Sequence, residues 1–275
     1  CLTPGSIALT FDDGYLDNLT NALPVLEKYK IPATIFITTN FIGQEIEFWW
    51  DEIEKIFLEM KQIPSSLSVS DDSGKTWDWT LRSNQDRIKA WEDIQQMLRN
   101  MKYEEIYSFL KNLSENWLGI PYKCRKTHKI LNKDQLVQLS KSNFIEIGSH
   151  TLTHSKLSQL NYNEQFNEIN ESKKIIESII QKKVNFISYP YGNHADFNED
   201  SMIISQQSEY LAGISNIQGI ITNNNNLYSL PRLLVRDWNI KEFSQWINDT
   251  DKKILELKTL NDRKEKFINY LGKNE

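Results

Sequence analysis

SIALTFDDGYLDNLTNALPVLEKYKIPATIFIT, residues 6–38, decides the fold class. Ile7–Asp12 is apolar and then abruptly charged, which reads as a short buried strand. Leu19, Leu23 and Leu26 recur at helical spacing across Leu19–Tyr29, and Ile31-Pro32 ends that helix because proline restricts the residue before it. Ala33–Thr38 is β-branched and apolar, a second strand. Strand, helix and strand within about thirty residues form a βαβ unit, and hence a parallel sheet or barrel.

The next strand of similar quality is Phe144–Gly148 (FIEIG), and the chain between is too long for a plain crossover. Residues 44–130 are therefore expected to form a mostly helical insertion. Within it, Leu67–Leu81 reads as a hairpin with Asp71-Asp72-Ser73-Gly74 as its turn, followed by helices over Ser83–Met101 and Tyr103–Leu118. The βα rhythm then resumes with a helix at Glu164–Ile180 and strands at Val184–Ser188, Leu211–Ile214 and Leu233–Val235. Asn223–Asn226 is a polar turn. Residues 240–275 read as a helical extension opening with Phe243, Trp246 and Ile247, and 1–275 as one domain.

With 275 residues, 39% hydrophobic and 25% charged, the chain has the composition of an ordinary globular protein. A net charge of −5 without a basic block argues against a nucleic-acid partner. No apolar run reaches the roughly 20 residues of a membrane span. Cys1 and Cys124 make neither a disulfide framework nor a cysteine-rich zinc site, and suit a cytosolic or an exported protein equally. A start at Cys1 rather than Met reads as a trimmed piece, so the compartment stays open.

Asp12 and Asp13 are adjacent, and in a regular strand they would point to opposite faces. Both can serve one pocket only if the strand ends there, and Gly14 permits the sharp exit. GSHTLTH, residues 148–154, follows a strand and holds two of the chain's four histidines, His150 and His154, spaced as neighbours on a helical turn. Two imidazoles and one carboxylate leave coordination positions open, as in a catalytic rather than a structural zinc site. The second carboxylate is then free to handle a proton.

TFDDG followed by H-T-L-T-H resembles the first two motifs of the polysaccharide deacetylases, and SYPYG, residues 188–192, resembles their third. FWWDEIE (48–54) and LYSLPRLLV (227–235) are similar to a subgroup acting on bacterial surface polysaccharides. The resemblance covers residues 6–42 and 130–236. It implies an α/β fold, a distorted (β/α) barrel with seven strands rather than the eight of a TIM barrel. It also implies Asp12 as general base and Asp13, His150 and His154 as ligands of a divalent metal ion, zinc first. The Tyr191 backbone N–H would face the developing oxyanion. The implied activity is hydrolytic removal of acetyl groups, N-acetyl first, from a glycan or polysaccharide.

Two positions depart from the family pattern. Ser188 stands where an arginine usually orients the base, and no late histidine follows to act as acid. Arg232 is the candidate for the missing cation and for a substrate contact, and His194 the candidate acid. Asp12, once protonated, could also return its proton to the amine. Trp50 and Pro190 complete the candidate substrate contacts, with Pro190 fixing the turn that presents Tyr191. Asn193 and Asp196 read as loop polars. A glycan-binding module of the same fold without turnover, or a metal hydrolase of a small amide or phosphate ester, are the competing readings.

Overall fold

The computed structural model describes residues 6–70, 76–120 and 122–250. In chain order the elements are β1 (Leu9–Phe11), α1 (Leu23–Tyr29), β2 (Ala33–Ile37), α2 (Trp49–Glu54), β3 (Ser66–Ser70), β4 (Thr76–Thr80), α3 (Asn84–Leu98) and α4 (Tyr103–Asn112). They continue with α5 (Lys133–Ser140), β5 (Ile145–Ser149), α6 (Tyr162–Phe166), α7 (Ser172–Ile180), β6 (Phe186–Ser188), α8 (Glu199–Gln207), β7 (Ala212–Gln218) and β8 (Leu230–Arg232).

Six strands form one sheet in the order β1-β2-β5-β6-β7-β8, and every neighbouring pair is parallel. The opening stretch thus folds as its pattern dictates, with Leu9 opposite Ala33 and Phe11 opposite Ile35. The sheet is curled, giving the expected α/β barrel-like fold with six strands among the described residues instead of seven. No backbone ladder joins its edge strands β1 and β8 among the described residues. The gap is bridged by Arg232, whose Nη1 donates from β8 to Thr10 Oγ1 on β1 at 3.2 Å. One strand lies elsewhere than its apolar pattern suggests. Leu233–Val235 falls past the end of the sheet, and those side chains are exposed, because a bulge between Ile214 and Gln218 pairs β7 with Leu230 and Arg232 instead.

The two largest cores follow from the two parts of the chain, with Phe41, Phe48 and Ile130 forming a smaller third. Ile35, Ile37, Ile147, Ile187 and Tyr189 pack with the sheet's helices, and Leu136, Leu139, Ile169 and Ile176 cover one face. Between β2 and β5 the chain builds its own core, with Ile53, Phe57, Trp79, Ala90, Ile94, Leu98 and Leu110 buried together. Ala90, Ile94 and Leu98 lie four apart along α3 and so share one face, and Ser83 caps that helix by exchanging hydrogen bonds with Asp86. β3 and β4 pair antiparallel, with Leu67 opposite Trp79. The proposed hairpin turn at 71–74 and the stretch 251–275 lie outside the described residues, while 240–250 is helical. Among the described residues no helix is long and apolar enough to cross a membrane.

Candidate metal centre and active site

The two aspartates, the two histidines, Tyr191 and Arg232 emerge at the C-terminal ends of the parallel strands, where α/β folds build their sites. β1 stops at Phe11, and Asp13 and Gly14 both take left-handed backbone conformations, with φ of 75° and 85°. The reversal expected at Gly14 begins one residue earlier. Gly14 N–H donates to the Asp12 carbonyl at 3.0 Å, closing a tight turn that aims both carboxylates at one cavity.

His150 and His154 converge for a different reason from the one their spacing suggests. The segment after β5 is not helical. Thr151 and His154 instead adopt positive φ, 64° and 60°, and fold the loop back on itself. Buried Glu168 holds that loop, accepting from the N–H groups of Leu152 and Thr153, each at 3.0 Å, and from Thr153 Oγ1 at 2.6 Å. Glu168 lies in a wide π-helical turn, Asn167–Glu171, that joins α6 to α7.

His150 Nδ1–H donates to the Ser188 carbonyl at 2.7 Å, which leaves the Nε2 lone pair facing the cavity. The Nε2 atoms of His150 and His154 each lie 3.5 Å from Asp13 Oδ1. Two atoms held about 2.1 Å from one ion at a tetrahedral angle are roughly 3.4 Å apart, so this spacing fits a metal. Asp13 Oδ1 is buried with no hydrogen-bond partner, as is His154 Nδ1. Burial, then the charges of Asp12 and Asp51, push the Asp13 carboxyl well above its usual range. Burial pulls both histidines down, His154 furthest with His150 adding to the effect, so neutral imidazoles are favoured. An anion opposed by its surroundings and two neutral imidazoles are complementary to a cation.

Asp12 is treated differently. Arg232 Nη1 and Nη2 donate to its two oxygens at 2.9 and 2.8 Å, while Arg232 Nε donates to the Ser215 carbonyl at 2.9 Å. Ser188 Oγ faces the same carboxylate at 3.4 Å. Burial alone would raise Asp12, but the positive charges beside it, His150 while it carries a proton and Arg232 throughout, outweigh burial and hold the carboxyl at about 2. The cation absent from position 188 therefore arrives from β8, on the far edge of the sheet.

The cavity is lined by Asp12, Asp13, Trp50, His150, His154, Tyr189, Tyr191, Asn216 and Arg232. Trp50 stacks on Phe48 with centroids 4.5 Å apart, tilts over His154 at 4.7 Å, and donates from Nε1 to Tyr15 Oη at 3.0 Å. Tyr15 Oη in turn donates to Asp51 at 2.5 Å. Tyr191 sits at φ 60° with its ring edge-on to His154. Two expected residues are not brought here. His194 is exposed on the turn beyond Tyr191 and does not line the cavity, because that turn carries it outward. Pro190 is buried behind the wall, its carbonyl accepting from Gly192 N–H at 2.6 Å, so it shapes the turn without lining the cavity.

Other residues were not singled out by the sequence. Asp196 is no loose loop polar: it is 2% exposed and holds Arg99 through both oxygens. Asn216 lines the cavity from β7, and Glu168 braces the histidine loop. Arg99 and Asp196 lie 97 positions apart, and no local pattern marks such a pair. Only the Tyr15–Trp50–Asp51 group left a trace, in the FWWDEIE phrase.

The sequence profile of the polysaccharide deacetylases matches residues 1–123 and 103–211. The poly-beta-1,6-N-acetyl-D-glucosamine N-deacetylase of Staphylococcus aureus (strain N315) is 26% identical over 232 residues, 84% of this chain and 55% of that protein. This chain spans about half the length of the curated relatives it matches. Among solved structures, IcaB from Ammonifex degensii shares the fold with a TM-score of 0.53 at 14% identity, over 90% of this chain and 74% of that one. The Streptococcus pyogenes deacetylase PplD, solved with acetate, gives 0.50 at 18% identity, over 86% and 68%. With the profile spanning most of its length and the fold shared, the chain belongs to the polysaccharide deacetylase family.

Proposed function

We propose that this chain is a metal-dependent hydrolase that removes N-acetyl groups from a β-1,6-linked N-acetylglucosamine polymer. The observation that carries the reading is the Asp13–His150–His154 cluster beside an Asp12 gripped by Arg232. The name of the Staphylococcus aureus relative supports the polymer. Asp13, His150 and His154 would hold the ion. When bound, a divalent ion, zinc first, supplies Lewis-acid polarisation of the acetyl carbonyl and a water of pKa near about 7.

The protein's own groups do the rest. Asp12 accepts a proton from the attacking water as oxygen bonds to the acetyl carbon. The Tyr191 N–H donates to the carbonyl oxygen as negative charge builds there. Asp12, kept in line by Arg232, then delivers the same proton to nitrogen as the C–N bond breaks, giving acetate and a free amine. No histidine among the described cavity residues is left to share that duty. Trp50 offers aromatic surface to the apolar faces of the sugar.

Acetate release from β-1,6-linked N-acetylglucosamine oligomers tests this. Chelation should abolish release and added zinc restore it, while Asp12→Asn should lower kcat by about 10²–10⁴-fold with metal content unchanged. A metal-loaded wild type that releases no acetate overturns the proposal. If that inert protein still binds the oligomer, it is a glycan-binding module, the reading that the outward His194 favours.

A further inference from the structure

The turn that presents the Tyr191 amide is held from outside the sheet. Tyr191 has a φ of 60°, an uncommon conformation for a bulky residue that persists only where its surroundings enforce it. Two side chains from the segment between β2 and β5 do so. Trp49 on α2 donates from Nε1 to Tyr191 Oη at 3.1 Å. Arg99, directly after α3, lays its guanidinium over the Tyr191 ring at 4.5 Å. The same guanidinium donates from Nη2 to both oxygens of Asp196, at 3.0 and 2.9 Å. Asp196, 2% exposed, in turn accepts from the Asn193 N–H at 3.0 Å, closing the turn that follows Tyr191. Arg99 thus touches the turn at both ends, once through the aromatic face and once through the buried acid. A planar cation is suited to both contacts at once, which an ammonium is not.

We propose that Arg99 is a positioning residue for deacetylation, aligning the Tyr191 N–H with the oxygen on which charge develops. This inference rests on the hydrolase reading above. It makes the segment between β2 and β5 a working part of the active site, not only a cover for it. An amide that is misaligned loses transition-state stabilisation but not substrate contacts, so kcat should suffer and KM should not.

The test is steady-state kinetics of acetate release from β-1,6-linked N-acetylglucosamine oligomers by the zinc-loaded protein. Arg99→Ala should lower kcat about tenfold to a hundredfold, with KM within about twofold of wild type and zinc stoichiometry unchanged. Added guanidinium ion at millimolar concentration should restore part of the rate, because it can refill the slot against Asp196. Arg99→Lys, which keeps the charge but not the plane, should be impaired and should not respond to guanidinium. Circular dichroism and zinc content report whether the variants fold. Should Arg99→Ala be misfolded, Asp196→Asn, which is nearly isosteric and weakens only the charge pair with Arg99, should show the same loss of kcat. A folded variant with wild-type kcat overturns the role of Arg99 alone, whereas a wild type without acetate release overturns the hydrolase reading and this role with it.

Discussion

Asp12 and Asp13 are neighbours in sequence and face one cavity, yet their surroundings push them in opposite directions. Asp13 is raised by burial and by two nearby acids, and only a cation would offset that cost. Asp12 is opposed by burial too, but Arg232, with His150 when that ring is protonated, outweighs it and keeps the carboxyl ionised down to about 2. Removing Arg232 takes away one of those two influences. In Arg232→Ala the Asp12 carboxyl should rise towards the ordinary aspartate value of about 3.9. In the proposed mechanism Asp12 is the base and must be ionised to accept a proton, so the acidic limb of the kcat/KM profile should move to higher pH, with the alkaline limb unmoved. Folding shifts in the same sense: the stability that a depressed carboxyl contributes at neutral pH is lost as pH falls through its folded value, and the variant should lose part of it already at neutral pH. A pH–rate profile beside that of the wild type checks the first point, and an unmoved acidic limb would remove Arg232 from the role of orienting the base. The two acids and two histidines were legible as residues. Their unequal electrostatics were not, since these depend on Arg232, some two hundred positions along the chain and across the sheet.

At the scale of elements, the junction of β2 and β5 shows how tightly the site is carried. Gly148 lies opposite Phe36 in the parallel register, two residues before His150. A methyl group at Gly148 would clash with the ring of Phe36, which is fully buried. Gly148→Ala should therefore destabilise the fold by about 1–3 kcal/mol, the usual cost of overpacking. Thermal denaturation reads this directly, and zinc affinity should fall with it as the histidine loop shifts. An unchanged melting temperature would mean that the strands slide apart without penalty. Most strands could be placed from sequence because apolar β-branched runs have nowhere else to go. Leu233–Val235 has the same composition and is exposed. A three-residue run does not fix its own register, and the bulge in β7 decides which residues pair.

For the molecule as a whole, the two larger cores are separable in their consequences. Every candidate metal ligand lies in a loop that follows a strand of the sheet, whereas Trp49, Trp50 and Arg99, which form or brace the cavity wall, come from the segment between β2 and β5. Leu110→Ala, which cuts into the core of that segment, should cost about 2–5 kcal/mol. Zinc binding should survive at temperatures where the segment has loosened, while acetate release should fail first. Calorimetry of the zinc-loaded protein, with activity followed over the same temperature range, distinguishes this from a single transition in which metal and activity are lost together.

The amino-acid pattern by itself determined the βαβ start and the parallel sheet, and picked out Asp12, Asp13, His150 and His154 as candidate site residues, because strand periodicity and metal-ligand chemistry are both local properties of residue type. Tertiary structure alone decided that Arg232 replaces the cation absent from position 188, that His194 turns outward, and that Arg99 and Asp196 clasp the Tyr191 turn. Those outcomes depend on which distant strand edges and loops come within a few ångströms of each other, and a hydrogen bond between residues far apart in sequence leaves no periodicity for a reader to find.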